Sequence, residues 1–320
     1  MFRYNAMCTS KVGLKGKTVI VTGANTGIGK EAARDFYARG ARVILACRNL
    51  DKAKEAVEDI KNNPPKNMKT DVYLNLVGEL AVYHLDLCDL ENVRACAKDL
   101  IEKEAAIHIL VNNAGVVGPY KKTKDGFEVT IQTNHLAPFL LTLLLLPKIR
   151  SSSPNCRIVN VSSLAHHYGD IYFDDICLEN SYGPLKAYMQ SKLANVLFTK
   201  ELARRLKEAD IHGINVYSLH PGAIPTQISQ NSNPILNFFY TSLLKIFGKN
   251  VAQGAQTIIH CSVDEKLANE TGLYYTECKV ANPQWRAKDE EYAKKLWNLS
   301  CELLHLQPIE ELNAFLKTVK

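Results

Sequence analysis

The sequence predicts an α/β protein in which helices cover both faces of one parallel sheet. Six apolar runs alternate along the 320 residues with segments whose apolar residues recur at helical spacing. The runs are apolar nearly throughout, which is typical of parallel strands buried on both faces. Because crossovers between parallel strands are right-handed, the alternation leads to a doubly wound sheet in three layers, the Rossmann fold.

The predicted elements follow one another in a regular order. The strands are expected at 18–23, 41–47, 81–87, 107–115, 157–163 and 214–222. The helices between them are expected at 27–39, 51–62, 90–104, 126–149 and 185–208. The proline pair at 64 and 65 ends the second helix, so 61–79 is predicted to be a surface insertion before the third strand.

No linker or change of composition divides the chain, so we predict a single domain over residues 16–305. Residues 1–15 are then an N-terminal extension and 306–320 a C-terminal tail. A chain of 320 residues is long for one domain, but a single α/β domain can reach this length.

Composition argues against several classes of function. A net charge of +6, spread along the chain, gives poor support for nucleic-acid binding. Nine cysteines without a C-x-x-C spacing predict reduced thiols rather than a disulfide or zinc framework. His166 and His167 lack acidic or cysteine partners at ligand spacing, so no metal site is predicted.

Two segments bear on cellular location. Residues 1–17 lack the continuous apolar core of a signal peptide. The longest apolar stretch, 136–147, is shorter than the about 20 residues that span a bilayer and is interpreted as a buried helix. We therefore expect a cytoplasmic protein without a transmembrane helix. Peripheral attachment to an endoplasmic reticulum or lipid-droplet surface stays open as an alternative.

The turn after the first strand can bind a phosphate. In TGANTGIG, residues 22–29, the glycines Gly23, Gly27 and Gly29 let the backbone approach an anion at the start of the next helix. Their spacing differs from G-x-G-x-x-G, so the stretch alone is also compatible with a bare structural turn. The other residues of this candidate dinucleotide site are Ala24, Asn25, Thr26 and Ile28.

The end of the second strand favours NADP over NAD. An NAD site usually has an acid there for the ribose hydroxyls, but this strand ends in Cys47 and Arg48. The planar guanidinium of Arg48 suits a 2′-phosphate, although a solvated surface arginine is the alternative. Asp51 is interpreted as the N-cap of the next helix. Lys30 can add charge near the phosphates or face water.

Two more strand ends complete the predicted cofactor groove. Asp86, followed by Leu87, can bond an adenine amino group, unless Asp86 only caps the following helix. NNAG, residues 112–115, ends the fourth strand, and its two asparagines are expected to brace loops beside the cofactor. Ala114 and Gly115 belong to the same candidate site.

Tyr188 and Lys192 form the candidate chemical site. They stand at i and i+4 on a predicted helix and therefore share one face. An ammonium beside a phenol favours the tyrosinate and lowers its pKa from about 10 toward about 7. An isolated Y-x-x-x-K is also common as an exposed helix pair.

Six short motifs stand at the predicted strand ends and on the helices that follow. They are TGANTGIG (22–29), NNAG (112–115), NHL (134–136), VSS (161–163), YMQSK (188–192) and HPG (220–222). In order and spacing they resemble the short-chain dehydrogenase/reductase family, and the resemblance covers roughly residues 16–305. The glycine motif of that family is T-G-x-x-x-G-x-G. The resemblance implies a Rossmann-fold oxidoreductase that uses a nicotinamide cofactor.

The resemblance also assigns roles to single residues. Tyr188 is implied to be the general acid/base, and Lys192 to lower its pKa and hold the nicotinamide ribose. Ser163 is implied to bind the substrate carbonyl, since its neighbour Ser162 points to the opposite side of the strand. Asn134 is implied to hold a water of the proton relay. The cofactor floor and the nicotinamide loop are implied at Asn113, Val161, Pro221, Gly222, Ile224 and Thr226.

Longer segments resemble a subgroup, the NADP-preferring microsomal retinol dehydrogenases. These segments are GIGKEAARDFYARGARVILACRN, VNVSSLAHHYGDI, SKLANVLFTKELARRL and QGAQTIIHC. The subgroup implies NADP(H) and a lipophilic primary alcohol or its aldehyde, of the retinol and retinaldehyde kind. Two features depart from it: Ala137 and Pro138 replace its usual Gly-His, and residues 1–17 are polar and basic where it has a hydrophobic anchor.

Two alternatives to a retinol dehydrogenase remain open. The alternative enzyme is a carbonyl reductase or alcohol dehydrogenase for steroids, isoprenoids or xenobiotic aldehydes. The alternative that is not an enzyme is a nucleotide-binding scaffold without catalysis. Four intact candidate catalytic residues argue against it: Tyr188, Lys192, Ser163 and Asn134.

Two apolar segments indicate contacts beyond the site. The family places a substrate lid after HPG, so we predict a lid near 224–250. Its apolar face over 231–250 can enclose a lipophilic chain, contact a membrane surface peripherally, or pack on the core as an ordinary helix. The resemblance also implies that the leucine-rich helix around 136–147 can form a homodimer interface.

Overall fold

One eight-stranded sheet organises the part of the chain that the computed structural model describes, residues 6–65, 77–222 and 249–306. The strands are β1 Thr18–Thr22, β2 Arg42–Cys47, β3 Glu79–His84, β4 Ile109–Asn112, β5 Cys156–Val161, β6 Ile214–Leu219, β7 Leu273–Thr276 and β8 Lys279–Val280. Their spatial order is β3-β2-β1-β4-β5-β6-β7-β8, parallel except for the β7–β8 pair. The order reverses between β1 and β4, which creates the crevice where such sheets bind ligands.

Helices cover both faces of the sheet. They are α1 Gly27–Ala38, α2 Leu50–Asn62, α3 Leu90–Lys103, α4 Val129–Ser151, α5 Pro184–Glu208, α6 Val251–Gly254, α7 Gln256–Val263 and α8 Glu290–Leu303. Alternate strand residues enter different cores: Val19 and Val21 pack with α1, α2 and α7, whereas Ile20 packs with α3, α4, α5 and α8. The predicted doubly wound, three-layer fold is confirmed.

The structure adds two strands to the six predicted ones. The strand β7 has only four residues, LYYT, and β8 has two, so neither forms a run long enough to stand out in the sequence. Pairing with β6 nevertheless buries Tyr275 completely. All six predicted strands are present. The strand β2 lacks only its first predicted residue, and the other five end one to three residues early because their final residues leave the sheet and form the loops described below.

One predicted helix cap and one cap given as an alternative need correction. The side chain of Asn49, not that of Asp51, caps α2 by accepting a hydrogen bond from the Lys52 amide at 2.9 Å. Asp51 lies in the first turn instead, where a negative charge suits the helix dipole. Asp89 rather than Asp86 caps α3, accepting from the Asn92 amide at 2.9 Å.

The leucine-rich helix α4 lies inside the protein. Among the described residues, α4 is the one helix that is both long enough and apolar enough to cross a membrane. However, 94% of its most apolar window is buried within the protein. Phe139 packs against Trp297 of α8 with ring centres 4.9 Å apart. The helix α8 of the same chain thus contacts α4, and the apolar side chains of α4 belong to the core of the described chain.

His135 on α4 makes the fold sensitive to acid. It is fully buried, and burial lowers its pKa from 6.5 to about 4. Between these values the unfolded chain binds more protons than the folded protein, so stability is lost as the pH falls through this window. Going from pH 7 to pH 5 should remove roughly 2 kcal/mol of the free energy of unfolding through this group.

Urea denaturation at pH 7 and pH 5 tests this expectation. The difference between the two pH values should be about 2 kcal/mol smaller in His135→Leu than in the wild type. The surface variant His212→Leu is the matched control and should keep the wild-type difference. If His135→Leu lost as much stability between pH 7 and pH 5 as the wild type does, His135 would not be a source of the acid sensitivity.

Candidate active site

The sequence motifs meet at the carboxyl-terminal edge of the parallel strands. The turn after β1, the residues after β2 and β3, and the loops after β4, β5 and β6 all leave the sheet at this edge. The first half of α5 brings Tyr188 and Lys192 to the same edge, since Lys192 contacts the last residue of β5.

Three glycines shape the turn between β1 and α1. Gly23 has a φ of +65°, and a Cβ there would lie 3.0 Å from the Cβ of Ala114. Gly27 has a φ of +59°, and a Cβ there would meet no described atom within 4 Å. At Gly29 a Cβ would lie 2.4 Å from Asn113 Nδ2, so the helix and the loop after β4 approach too closely for a side chain. The turn is therefore tightly packed at both ends and open at Gly27.

The helix α1 begins without a side-chain cap. Thr26 occupies the N-cap position but makes no capping hydrogen bond, and the first turn has no acidic residue. Side chains cap α2 and α3, by contrast. The first amides of α1 and the positive end of its dipole are thus available to an anion. Lys30 pairs with Asp59 of α2 at 3.0 Å.

Arg48 and Cys47 follow β2 in different environments. Arg48 is exposed, and its guanidinium has no ion pair or hydrogen bond with a described residue. Cys47 is buried, and burial raises the pKa of its thiol to about 11. Only Arg48 therefore offers a charge to a ligand at this strand end.

Asp86 and Leu87 form a tight loop after β3. The Asp86 carboxylate accepts from the Cys88 amide at 2.9 Å, and the Asp86 amide donates to Asn92 Oδ1 at 2.6 Å. Leu87 is buried. Since Asp89 caps α3, the capping alternative for Asp86 is wrong, and the loop is held in place beside the candidate cofactor groove.

The two asparagines of NNAG have separate roles. Asn113 Nδ2 donates to the Thr22 carbonyl at 2.8 Å and thereby braces the glycine turn, as expected. Asn112 instead points into the core, where it donates to Thr142 Oγ1 at 2.9 Å and Asn160 Oδ1 at 2.8 Å. The expectation for Asn112 is therefore wrong, since alternate residues of β4 face opposite layers.

Lys192 is a buried cation beside Tyr188. It is 3% exposed, its Nζ donates to the Val161 carbonyl at 3.0 Å, and it lies 5.5 Å from the centre of the Tyr188 ring. No carboxylate among the described residues pairs with it. Burial lowers the pKa of Lys192 from 10.5 to about 8. The ammonium is thus still the main form at pH 7, held in a poorly solvated position next to a phenol.

Asn134 lies in a π-helical turn, Gln132–Leu136, within α4. Its Oδ1 accepts from the Val116 amide at 2.8 Å, and its Nδ2 donates to the Val116 carbonyl and to Ser191 Oγ, both at 2.9 Å. A Cβ on Gly115 would lie 3.2 Å from Lys192 Nζ and 3.4 Å from Asn134 Oδ1. Asn134 and Lys192 therefore both lie next to Gly115. Both hydrogens of Asn134 Nδ2 are already donated, so the Asn134 side chain can bind a water only by accepting a hydrogen bond at Oδ1.

Ser163 leaves β5 at the start of a 3₁₀ turn, Leu164–Tyr168. Its Oγ accepts from the Ala165 amide at 3.2 Å, so the hydroxyl proton stays available for another acceptor. Ser162 is buried and donates to the Lys192 carbonyl at 2.7 Å. The alternation of the strand thus separates the two serines as expected.

The loop after β6 is described only in part. Gly222 has a φ of +92°, and a Cβ there would lie 2.9 Å from Lys249 Cδ. Ile224, Thr226, the predicted lid near 224–250 and its apolar face over 231–250 lie outside the described residues, apart from Lys249 and Asn250.

Sequence reasoning did not single out Ser191 or Val116. Ser191 Oγ donates to the Tyr188 carbonyl at 2.8 Å while it accepts from Asn134, so it joins α5 to α4. Its position three residues after Tyr188 was a usable signal, because i and i+3 share a helix face. Val116 acts through its backbone, for which side-chain patterns give no signal. Within the described residues no cluster of His, Cys, Asp and Glu could hold a metal ion.

The chain is similar to known proteins over most of its length. A family model for short chain dehydrogenases matches residues 17–236. Retinol dehydrogenase 11 of Mus musculus is 45% identical over 303 residues, which cover 94% of this chain and 90% of that protein. Retinol dehydrogenase 12 of Homo sapiens is 43% identical over 307 residues, which cover 96% of this chain and 92% of that protein.

Solved structures share the fold. The crystal structure of an uncharacterised protein from Mycobacterium paratuberculosis superposes with a TM-score of 0.71 at 33% identity, covering 93% of this chain and 97% of that one. The RhlG–NADP complex of Pseudomonas aeruginosa superposes with a TM-score of 0.61 at 23% identity, covering 86% of this chain and 96% of that one. The motif order, the site geometry and these similarities together place the chain in the short-chain dehydrogenase/reductase family, among relatives of the retinol dehydrogenases.

Proposed function

We propose that the protein is an NADP(H)-dependent oxidoreductase that interconverts a lipophilic primary alcohol and its aldehyde, of the retinol and retinaldehyde kind. The observation that carries the proposal is the buried ammonium of Lys192 beside Tyr188. Such a cation favours the tyrosinate and so prepares a phenol to exchange protons near neutral pH. The retinol dehydrogenases at 43–45% identity support the substrate class.

The residues at the sheet edge fit a dinucleotide. Gly27 faces open space, and the first amides of α1 have no side-chain cap, so a pyrophosphate can approach both. When bound, the nicotinamide supplies or accepts the hydride. The residues that would hold the cofactor are 23–29, Arg48, Asp86, Leu87, Asn113, Ala114, Gly115, Val161, Tyr188, Lys192, Pro221 and Gly222, together with Ile224 and Thr226 outside the described residues.

In the reducing direction, the Tyr188 hydroxyl donates its proton to the aldehyde oxygen as that oxygen becomes an alkoxide. The Ser163 hydroxyl donates a hydrogen bond to the same oxygen and fixes its position. The Lys192 ammonium stabilises the tyrosinate that remains. Tyr188 is then reprotonated through water that Asn134 helps to hold. Oxidation of the alcohol uses the same groups in reverse.

Cofactor choice is proposed to depend on Arg48. Its exposed guanidinium is not engaged by any described residue and stands where an NAD site carries an acid. A bidentate contact with a 2′-phosphate is a strong, charge-assisted interaction. NADPH is therefore the expected cofactor.

Substrate range and location are proposed more broadly. Steroids, isoprenoids or xenobiotic aldehydes are the alternative substrates for the same chemistry. A cytoplasmic protein that contacts a membrane surface peripherally through 231–250 stays a prediction, and so does a homodimer, which would need a surface other than the apolar face of α4.

Replacing Tyr188 by Phe tests the proposed function. The phenol ring is kept but the exchangeable proton is lost, so turnover of retinaldehyde with NADPH should fall by about 10³-fold. Binding of NADPH, followed by fluorescence titration, and the melting temperature should stay near their wild-type values. Undiminished turnover in Tyr188→Phe would show that another group transfers the proton.

Replacing Arg48 by Ala tests the cofactor assignment. Loss of the 2′-phosphate contact should lower kcat/KM for NADPH by about 10- to 100-fold and leave the value for NADH nearly unchanged. Lys54→Ala, an exposed cation on α2, is the control and should alter neither value. A wild-type preference for NADH would refute the role of Arg48.

A further inference from the structure

A group of buried and half-buried polar side chains adjoins Ser163 and is not used by the proposed mechanism. It contains His166, His220, Tyr274, Thr276 and Gln284, which we call the rear cluster. These residues come from the 3₁₀ turn after β5, the loop after β6, the strand β7 and the segment that follows β8. The rear cluster thus joins the last strands of the sheet to the loop that carries Ser163.

His166 binds the backbone of Ser163. It is completely buried, with Nδ1 2.7 Å from the Ser163 carbonyl oxygen and Nε2 3.2 Å from the Gln284 amide nitrogen. A backbone amide can only donate, so Nε2 must be the acceptor. The proton of the neutral imidazole therefore sits on Nδ1, which donates to Ser163. Burial keeps the ring neutral at pH 7, since it lowers the pKa of His166 to about 4.

Gln284 holds this arrangement from a distant part of the chain. Besides its amide contact with His166, its Nε2 donates to the His167 carbonyl at 3.0 Å and to the Gly169 carbonyl at 2.8 Å. Three hydrogen bonds from one buried residue thus fasten the turn 166–169. The turn also packs against α5, where a Cβ on Gly169 would lie 2.5 Å from the Met189 carbonyl oxygen, and Gln284 ties it in addition to the segment after β8.

The rear cluster also reaches the loop after β6. The His166 ring lies 4.7 Å from the Tyr274 ring, and the Tyr274 hydroxyl is hydrogen-bonded to His220 Nδ1 at 2.5 Å. His220 Nε2 lies 3.1 Å from Thr276 Oγ1. Since His220 directly precedes Pro221 and Gly222, the same set of contacts supports both loops that flank the proposed nicotinamide position.

We propose that His166 is a positioning residue for Ser163, and that Gln284 holds His166 in the tautomer that donates to the Ser163 carbonyl. This inference rests on the proposed function. Anchoring the Ser163 peptide fixes the direction of its hydroxyl, and a misplacement of about 1 Å at such a group can cost about 10²-fold in rate. His166 acts through Ser163 and does not touch the substrate.

Two amide substitutions distinguish the contact that His166 Nδ1 makes with Ser163 from the contact that Nε2 makes with Gln284. In His166→Asn the amide nitrogen can take the place of Nδ1 and still donate to Ser163. In His166→Gln the amide takes the place of Nε2, so the contact with Gln284 can persist while the contact with Ser163 is lost. His167→Asn changes the adjacent histidine, whose ring lies 4.0 Å from the His166 ring but makes no side-chain hydrogen bond in the described chain, so it is the matched control for loss of a ring contact alone.

The experiment measures kcat and KM with retinaldehyde and NADPH, the dissociation constant of NADPH, and the melting temperature for each protein. We expect His166→Gln to lower kcat by about 10-fold or more, with NADPH binding unchanged. His166→Asn should stay within about 3-fold of the wild type, and His167→Asn should match it. Gln284→Leu loses the two side-chain hydrogen bonds to the turn 166–169. It should also lower kcat while the dissociation constant of NADPH stays unchanged.

Other outcomes overturn the inference. Equal kcat in His166→Asn and His166→Gln would show that the Ser163 contact does not matter. Losses that track the melting temperature of each variant, or that appear equally in NADPH binding, would show a purely structural role. If the wild type reduces neither retinaldehyde nor other lipophilic aldehydes while folded, the proposed function fails, and the positioning role fails with it.

Discussion

The buried ammonium of Lys192 is the constraint on which the rest of the site depends. A cation that is 3% exposed and lacks a carboxylate partner among the described residues is held at a cost in free energy. The Val161 carbonyl offsets part of this cost. A Cβ at Gly115 would lie 3.2 Å from Lys192 Nζ, so a larger residue there would require the ammonium to shift. Tyr188, one helical turn away, is the group that can benefit from the charge.

Buried hydrogen bonds fix the two helices that carry the site. Asn112 of β4 donates to Thr142 of α4 and to Asn160 of β5, and Asn160 in turn donates to Thr199 of α5 at 2.9 Å. These bonds join two strands and two helices inside an otherwise apolar layer, where polar groups must find specific partners. The helix with Asn134 and the helix with Tyr188 are therefore held in one relative position. Ser191 repeats the connection at the site itself.

The sequence predicted those parts of the fold that depend on local pattern. Long apolar strands, the glycine turn and the i, i+4 pair Tyr188–Lys192 each have a signal within a few residues. The short strands β7 and β8 do not, because neither forms a run long enough to stand out, and the parallel partner of β7, β6, lies far away in the chain. The choice of Asn49 over Asp51 as a cap also escaped prediction, since both residues are good caps and lie two positions apart.

Long-range contacts were the other part that the sequence could not supply. The contact between His166 and Gln284 joins residues 118 positions apart, and no local pattern pairs the two residues. In the same way, the contact between α8 and α4 depends on a helix that looks ordinary in sequence, although the ring centre of its Trp297 lies 4.9 Å from that of Phe139. The site can thus be located from its motifs, but its supports become visible only in three dimensions.

Replacing Lys192 by Met tests most directly whether Lys192 lowers the stability of the folded protein while it supports turnover. The shift of the Lys192 pKa to about 8 corresponds to roughly 3 kcal/mol of unfavourable burial at pH 7. Urea denaturation of the ligand-free protein should therefore find Lys192→Met more stable than the wild type, while its turnover at saturating NADPH falls by at least about 10²-fold. Lys207→Met, an exposed position on α5, should change neither quantity. A Lys192→Met protein that is less stable than the wild type, or that keeps its turnover, would contradict this account.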